Sequence, residues 1–437
     1  MSGDVPSDDV PGAGGDIGRT VEAVWRMEAA RIVGFLTRML RDVGLAEEIA
    51  QDAMLQALES WPQAGVPDKP GAWLMQVAKY RALDHLRHAG MRAGKEGELS
   101  WEMEQQLMDQ SGQRRPDELA ELAQEAAGGI DDDVLRLVFV ACHPVLSSEA
   151  RAALTLKLVG GLSTPEIARA FLVPEATVAQ RIVRAKRTLL EARVPFEVPR
   201  GGDRKPRLAS VLQVIYLIYN EGYAASAGTD WLRPGLCREA LRLGRVLAEL
   251  VPEEGEVHGL VALMEIQSSR ERARTGPNGE PVLLLDQDRS RWDQLLIRRG
   301  LTALDRAAGQ GSLGPYGLQA AIAACHARAL MPEATDWPRI AALYDALSQL
   351  LPSPIVELNR AVALGMAYGP AEGLALADQL LDEPRLAHYH LLPSVRGDLL
   401  ARLGRHAEAR IEFERAAGLT RNERERTLLL ARAQEQA

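Results

Sequence analysis

Apolar residues recur along this 437-residue chain at the three-to-four spacing of amphipathic helices. In the first half the pattern predicts helices over 21–43, 46–59 and 72–88. A Pro/Gly-rich piece, 62–71, separates the last two. Three or four more helical patterns lie within 131–194. A Pro-, Gly- and Arg-rich stretch at 195–206 reads as a domain boundary. Beyond it nearly everything is helical: 208–220, 238–250, 257–272, 292–308, 318–330, 337–350, 355–366, 371–381, 388–403 and 406–417. A turn-rich interruption with a short extended pair is expected at 276–288. Gly369 and Gly404 each precede an Ala- and Glu-containing helix, and they lie 35 residues apart, close to the ~34-residue period of tetratricopeptide repeats. The expected fold is all-α. Two small helical domains, the second a helix-turn-helix, are joined by an acidic linker and followed by a large tetratricopeptide-like helical domain.

The stretch from Glu166 to Arg187 carries the sharpest signal. Ser163-Thr164-Pro165-Glu166 is a capping box with proline in the first turn, which starts a helix. After a short turn, Val178, Ile182, Ala185 and Leu189 mark the buried face of a second helix. Thr177, Gln180, Arg181, Arg184 and Arg187 leave another face polar and basic. A major groove accepts such a helix, with Arg and Gln at base edges and further cations on phosphate. The amides at the Thr164 helix start suit a phosphate as well. The alternative is a solvated amphipathic helix in a bundle.

The formal net charge of -9 changes this picture only until it is located. Twelve acids and two bases fall within 96–133, so basic surfaces on either side can still meet phosphate. Cys142, Cys237 and Cys325 are too few and too far apart for a disulfide framework, and Cys142-His143 reads as core packing. Residues 1–18 are rich in Gly, Pro and Asp and read as a disordered tail, not a signal peptide. No apolar run approaches the ~20 residues of a membrane span, and a cytoplasmic location is expected.

A second basic element occupies the 72–88 helix. Trp73, Tyr80 and Arg87 fall on one stripe, and Lys79, Arg81, Arg87, Arg92 and Lys95 outnumber Asp84. Aromatics interleaved with cations suit unpaired bases and their backbone, although Trp73 or Tyr80 singly could equally be core.

These elements together resemble bacterial sigma factors. Residues 72–88 are similar to the family's Trp-Leu…Asp-x-x-Arg stretch. Residues 46–58 resemble its preceding helix, and Gly161-Leu-Ser…Thr177-Val…Arg181…Arg184-Ala resembles its helix-turn-helix. The order holds over roughly 20–195. The two-domain layout resembles the extracytoplasmic-function group, and the Phe171–Thr177 run, Asn220-Glu-Gly-Tyr223 and the helical C-terminus resemble a subgroup with a tetratricopeptide-like extension. The resemblance implies a region 2 over 19–95, a linker over 96–130, a region 4 over 131–196 and a regulatory helical domain over 207–437. It implies that Gln51, Asp52 and Leu55 face core RNA polymerase. Trp73, Lys79, Tyr80, Arg81, Asp84 and Arg87 would melt or hold the -10 element of promoter DNA. The 61–70 loop would cradle a flipped base, and Ala176, Thr177, Gln180, Arg181 and Arg184 would meet the -35 element. The linker would run through polymerase channels as a nucleic-acid mimic or serve as a solvated spacer. Two positions depart from the family pattern: Lys79-Tyr80 replaces the usual Arg-Asn, and Leu172 stands where Gly is usual in the turn.

No HExxH, phosphate-loop or GxSxG motif is present, so no enzyme chemistry and no cofactor are expected. The segment 283–292 reads as a contact surface or as a loop with a helix cap at Ser290. Asn220, Glu221 and Tyr223 read as a polar pocket or a buried hinge. The expected function is that of an alternative sigma factor whose helical extension regulates it, either by covering a DNA- or polymerase-binding face or by docking a regulatory protein or peptide. The alternative is a helix-turn-helix transcriptional regulator with a helical sensor domain.

Overall fold

The computed structural model describes residues 13–92, 133–171, 173–224, 232–277 and 279–436. All named elements among them are helical, and one antiparallel bridge pairs Thr275 with Pro281 inside the turn-rich interruption. The chain divides into two compact units, with the division between Val214 and Ile215.

In the first unit, α1 (Ala13–Leu40), α2 (Val43–Ala64) and α3 (Pro70–Arg92) pack together. Helix α1 starts at Ala13, which corrects the disordered-tail expectation for residues 13–18; residues 1–12 lie outside the described residues. A positive φ at Arg41 ends α1, and Asp42 caps α2 by accepting from the Gly44 and Leu45 amides at 2.7 and 3.1 Å. Pro62 sits inside α2 rather than beyond it. It falls two residues from the helix end, where only the last turn loses a bond. Trp61 is therefore a buried helical residue, and the connection to α3 shortens to 65–69.

The same unit continues with α4 (133–141), α5 (Ser148–Leu158), α6 (Thr164–Phe171) and α7 (Glu175–Glu191). The linker expectation for 96–130 and the Leu172 departure lie outside the described residues. Helix α7 buries Val178, Ile182, Ala185 and Leu189, and a positive φ at Arg193 closes it, with the Val194 amide donating to Leu189.

Helix α8 (Arg204–Tyr223) crosses the division between the units. Its first half belongs to the first unit. Arg207 donates to the Phe139 carbonyl at 2.8 Å, Ser210 to the Cys142 carbonyl at 2.7 Å, and Arg151 to Ser210 at 2.5 Å. Its second half belongs to the second unit, where the Tyr219 hydroxyl donates to the Met264 carbonyl at 3.1 Å. The Cys142 thiol is buried 3.3 Å from the Thr155 hydroxyl, and burial pushes its pKa up to about 11, as expected of a packing residue.

The second unit continues with α9 (Pro234–Leu250), α10 (Gly255–Ser268), α11 (Gln294–Gly309), α12 (Pro315–Arg328), α13 (Trp337–Leu350), α14 (Pro354–Ala367), α15 (Pro370–Asp378), α16 (Leu391–Arg402), α17 (His406–Leu419) and α18 (Glu423–Gln434). Consecutive helices pack in pairs from α13 to α18. Gly369 and Gly404 both take positive φ at the turns into α15 and α17, which only glycine adopts without strain. Glycine also permits close approach within each pair. A Cβ on Gly373 of α15 would stand 2.5 Å from the Ala361 carbonyl of α14, and one on Gly397 of α16 would stand 2.9 Å from the Phe413 ring of α17.

Two open readings of this unit resolve. Arg289 is buried and donates to the carbonyls of His326 and Ala329 and to the Thr335 hydroxyl, at 2.9, 2.7 and 3.1 Å, with Trp292 under its guanidinium. The 283–292 segment is thus clamped onto the end of α12, and the cap of α11 is Asp293, not Ser290. Tyr223 stacks on Tyr219 and lies under the Arg274 guanidinium, 3.5 Å from the ring centroid, while Glu221 pairs with Arg233 and Asn220 is exposed.

Candidate nucleic-acid interface

Helix α6 begins at the expected capping box. The Ser163 amide donates to the Glu166 carboxylate at 2.8 Å, and the Glu166 amide donates to the Ser163 hydroxyl at 3.4 Å. Glu166 also pairs with Arg26 of α1. The Glu166 carboxylate thus stands at the helix start beside Thr164, where a phosphate is expected from the sequence.

The second helix of the pair, α7, presents the opposite of its buried face. Ala176, Gln180, Arg184 and Arg187 are exposed, while Thr177 and Arg181 are half-buried. Arg187 makes a surface pair with Glu191 at 3.4 Å, a contact of little energetic weight. Val183, which the sequence reading passes over, lies on the exposed side at 64 % exposure. Its signal was its place in the helical period, away from the Val178–Ile182–Leu189 stripe.

On α3 the buried face is Leu74, Ala78, Ala82 and Leu83. Lys79, Tyr80, Arg81, Asp84 and Arg87 are exposed, and Trp73 is half-buried. The Trp73 ring meets the buried Trp61 ring in an edge arrangement, with centroids 5.5 Å apart, and the Trp73 side chain stays partly exposed. Arg81 reaches across to α2, 3.1 Å from the Asp52 carboxylate and 3.3 Å from the Gln56 amide oxygen. His88 lies 3.6 Å from Asp84. Helix α2 in turn exposes Leu55 and Leu58, while Gln51 donates to Glu47 one turn earlier.

The structure thus holds Trp73, Tyr80, Asp84 and Arg87 on one helix and ties Arg81 to the α2 set through Asp52. Gln180, Arg184 and Arg187 gather on α7. Sequence reasoning missed the acids that join the α1–α3 and α4–α7 segments. Glu47 on α2 meets Lys157 of α5 at 3.4 Å and Lys186 of α7, and Asp133 of α4 meets Arg38 of α1 at 3.0 Å. Both acids are buried. The available signal was a charge inside an apolar stripe, since Glu47 falls in register with Val43, Ala50, Ala53 and Ala57. Among the described residues no group of three or more His, Cys, Asp or Glu could hold a metal, and no helix is long and apolar enough to cross a membrane.

Three family models match the chain: sigma-70 region 2 over residues 24–91, sigma-70 region 4 over 136–189, and a family of unknown function, DUF6596, over 207–308. An uncharacterized protein of Rhizobium meliloti (strain 1021) is 45% identical over 391 residues, covering 89% of each chain. The ECF RNA polymerase sigma factor SigC of Mycobacterium tuberculosis (strain CDC 1551 / Oshkosh) is 26% identical over 181 residues, 41% of this chain and 87% of its own. The ECF RNA polymerase sigma factor SigK of Mycobacterium sp. (strain KMS) is 41% identical over 69 residues, 15% of this chain and 34% of its own. With two sigma-70 regions in order on the two helical segments just described, the chain belongs to the extracytoplasmic-function group of the sigma-70 family of RNA polymerase sigma factors.

Proposed function

We propose a division of labour among the surfaces of this alternative sigma factor, which directs transcription initiation. Helix α7 reads the -35 element as duplex, with Gln180 and Arg184 at base edges and Arg181 and Arg187 on phosphate. Helix α3 holds the opened -10 strand, with bases stacking on Tyr80 and the open part of Trp73, and Lys79 and Arg87 on the backbone. Helix α2 offers Asp52, Gln51 and Leu55 to core polymerase, with Arg81 setting the Asp52 carboxylate in place. The second unit regulates these steps through its paired helices, which offer the kind of surface that repeat arrays use to hold a peptide or protein partner.

The observation that carries this reading is the two-faced character of α7: a sealed apolar face and, behind it, an exposed row of Gln180, Arg184 and Arg187. Run-off transcription by core polymerase tests it. Arg184→Ala is expected to lower initiation about 10- to 100-fold, the worth of one good base contact, while leaving polymerase binding intact. Unchanged initiation and unchanged promoter choice would refute the α7 assignment.

A further inference from the structure

The second unit gathers four of the chain's eight tyrosines. Tyr216 of α8 and Tyr316 of α12 meet edge to face, with ring centroids 5.3 Å apart. The Tyr216 hydroxyl donates to the Gln319 amide oxygen at 3.1 Å and is also hydrogen-bonded to Asn220, one turn on. Tyr344 of α13 and Tyr389, just before α16, stand near enough for an ionised Tyr216 to repel their own ionisation. Their rings are held in place. Tyr344 packs against the core shared by α12, α13 and α14, and Tyr389 against the cluster of Leu358, Leu386 and Leu392.

These four side chains combine two properties. Burial raises every phenol above the usual tyrosine range, yet every side chain stays partly exposed. A tyrosine on a convex surface keeps its water, and one inside a core shows no surface. Rings that are desolvated and still reachable line a concavity.

The charges that reach these rings have one sign. The Glu256 carboxylate accepts from the Tyr316 and Gly317 amides at 3.0 and 3.1 Å and opposes ionisation of Tyr316. Glu425, 3.2 Å from His390, opposes that of Tyr389. Among the described residues no guanidinium eases ionisation of any of the four, whereas Arg270 does so for Tyr219. Ring faces are negative as well, so the concavity attracts a cation and repels an anion. A purely aliphatic occupant would leave phenolic hydroxyls without water or partner.

We propose that the concavity formed by Tyr216, Tyr316, Tyr344 and Tyr389 receives an arginine side chain presented by an extended basic segment of a partner protein, a proposal that rests on the reading that the second unit holds a partner. Arginine suits it better than lysine. Its flat guanidinium lies on rings while its edge still donates to side-chain oxygens such as that of Gln319.

Calorimetry on the full-length protein with two Gly/Ser peptides tests this. One peptide carries arginines, and the other carries citrulline, the uncharged counterpart, at the same positions. The arginine peptide is expected to bind about tenfold more tightly, and Tyr316→Leu and Tyr344→Leu should each weaken it about tenfold, the worth of a desolvated cation–π contact. Neither substitution alters net charge, so attraction to the acids of 96–133 is common to all the proteins. Hydroxyl-radical footprinting of the parent needs no variant. Saturating arginine peptide should protect the four rings and leave the exposed Tyr368 unchanged. Equal affinity for the two peptides, equal affinity of parent and folded leucine variants, or unprotected rings overturns the site. Ring-dependent binding that leaves run-off transcription unchanged would keep the site and refute the regulatory role of the second unit.

Discussion

Val183 stands on α7 between Gln180 and Arg187, an aliphatic side chain on a helix face otherwise suited to a polar groove. The thymine C5-methyl is the apolar group that a major groove offers it. Replacing a thymine of the -35 element by deoxyuridine is expected to weaken initiation about fourfold, the worth of one methyl contact of ~0.8 kcal/mol. Val183→Ala should abolish that difference, and a base-by-base thymine-to-uracil scan with both proteins checks it. A second prediction at this scale concerns His326, buried against Trp337 and Arg289. Burial, with help from Arg270 and Arg289, lowers its pKa to about 4. The folded ring thus stays neutral while the unfolded one protonates below about 6.5. Its contribution to stability is complete above about pH 6.5 and is lost as pH falls toward 4, to roughly 3 kcal/mol at most. Hydrogen exchange of the α12 amides should accelerate over that window, and His326→Leu should flatten the response.

Among the elements, two helix pairs of the second unit owe their close approach to glycines. Gly397→Ala drives a methyl into the Phe413 ring, and Gly373→Ala drives one into the Ala361 carbonyl. Overpacking of this kind costs about 1–3 kcal/mol, and the Gly373 change should cost more because the obstacle is backbone. Denaturant unfolding of the two variants would show equal midpoints if the close approach did not exist. Helix existence was legible from spacing alone where a helix buries a single stripe, as α7 does with Val178, Ile182, Ala185 and Leu189. The start of α6 was legible because its cap is local. Helix α18 was missed, although Asn422 with Glu423 and Glu425 behind it is an ordinary start signal. The partners of Glu47 and Asp133 could not be read, because their cations lie far off in sequence and nothing local announces them. Likewise Asp52 was legible as a surface acid, but its pairing with Arg81 was not.

For the molecule as a whole, the first unit does not end where its composition changes. Truncation after Arg200 follows the Pro/Gly-rich boundary but removes Arg207 and Ser210, whose bonds to Phe139, Cys142 and Arg151 hold α4 and α5. That shortened protein is expected to lose thermal stability in the helix-turn-helix segment and to bind -35 DNA poorly. Truncation after Ala224 keeps all three bonds and should retain both properties, as calorimetry and duplex binding would show. Equal behaviour of the two truncations would mean that α8 contributes nothing to the first unit. Because one continuous helix serves two cores, its residues are locked in phase. Deleting a single residue between Val214 and Tyr219 would turn every later side chain of α8 by about 100° relative to every earlier one. Substitutions that keep its buried positions apolar leave that phase untouched, whereas a change in the length of α8 resets it.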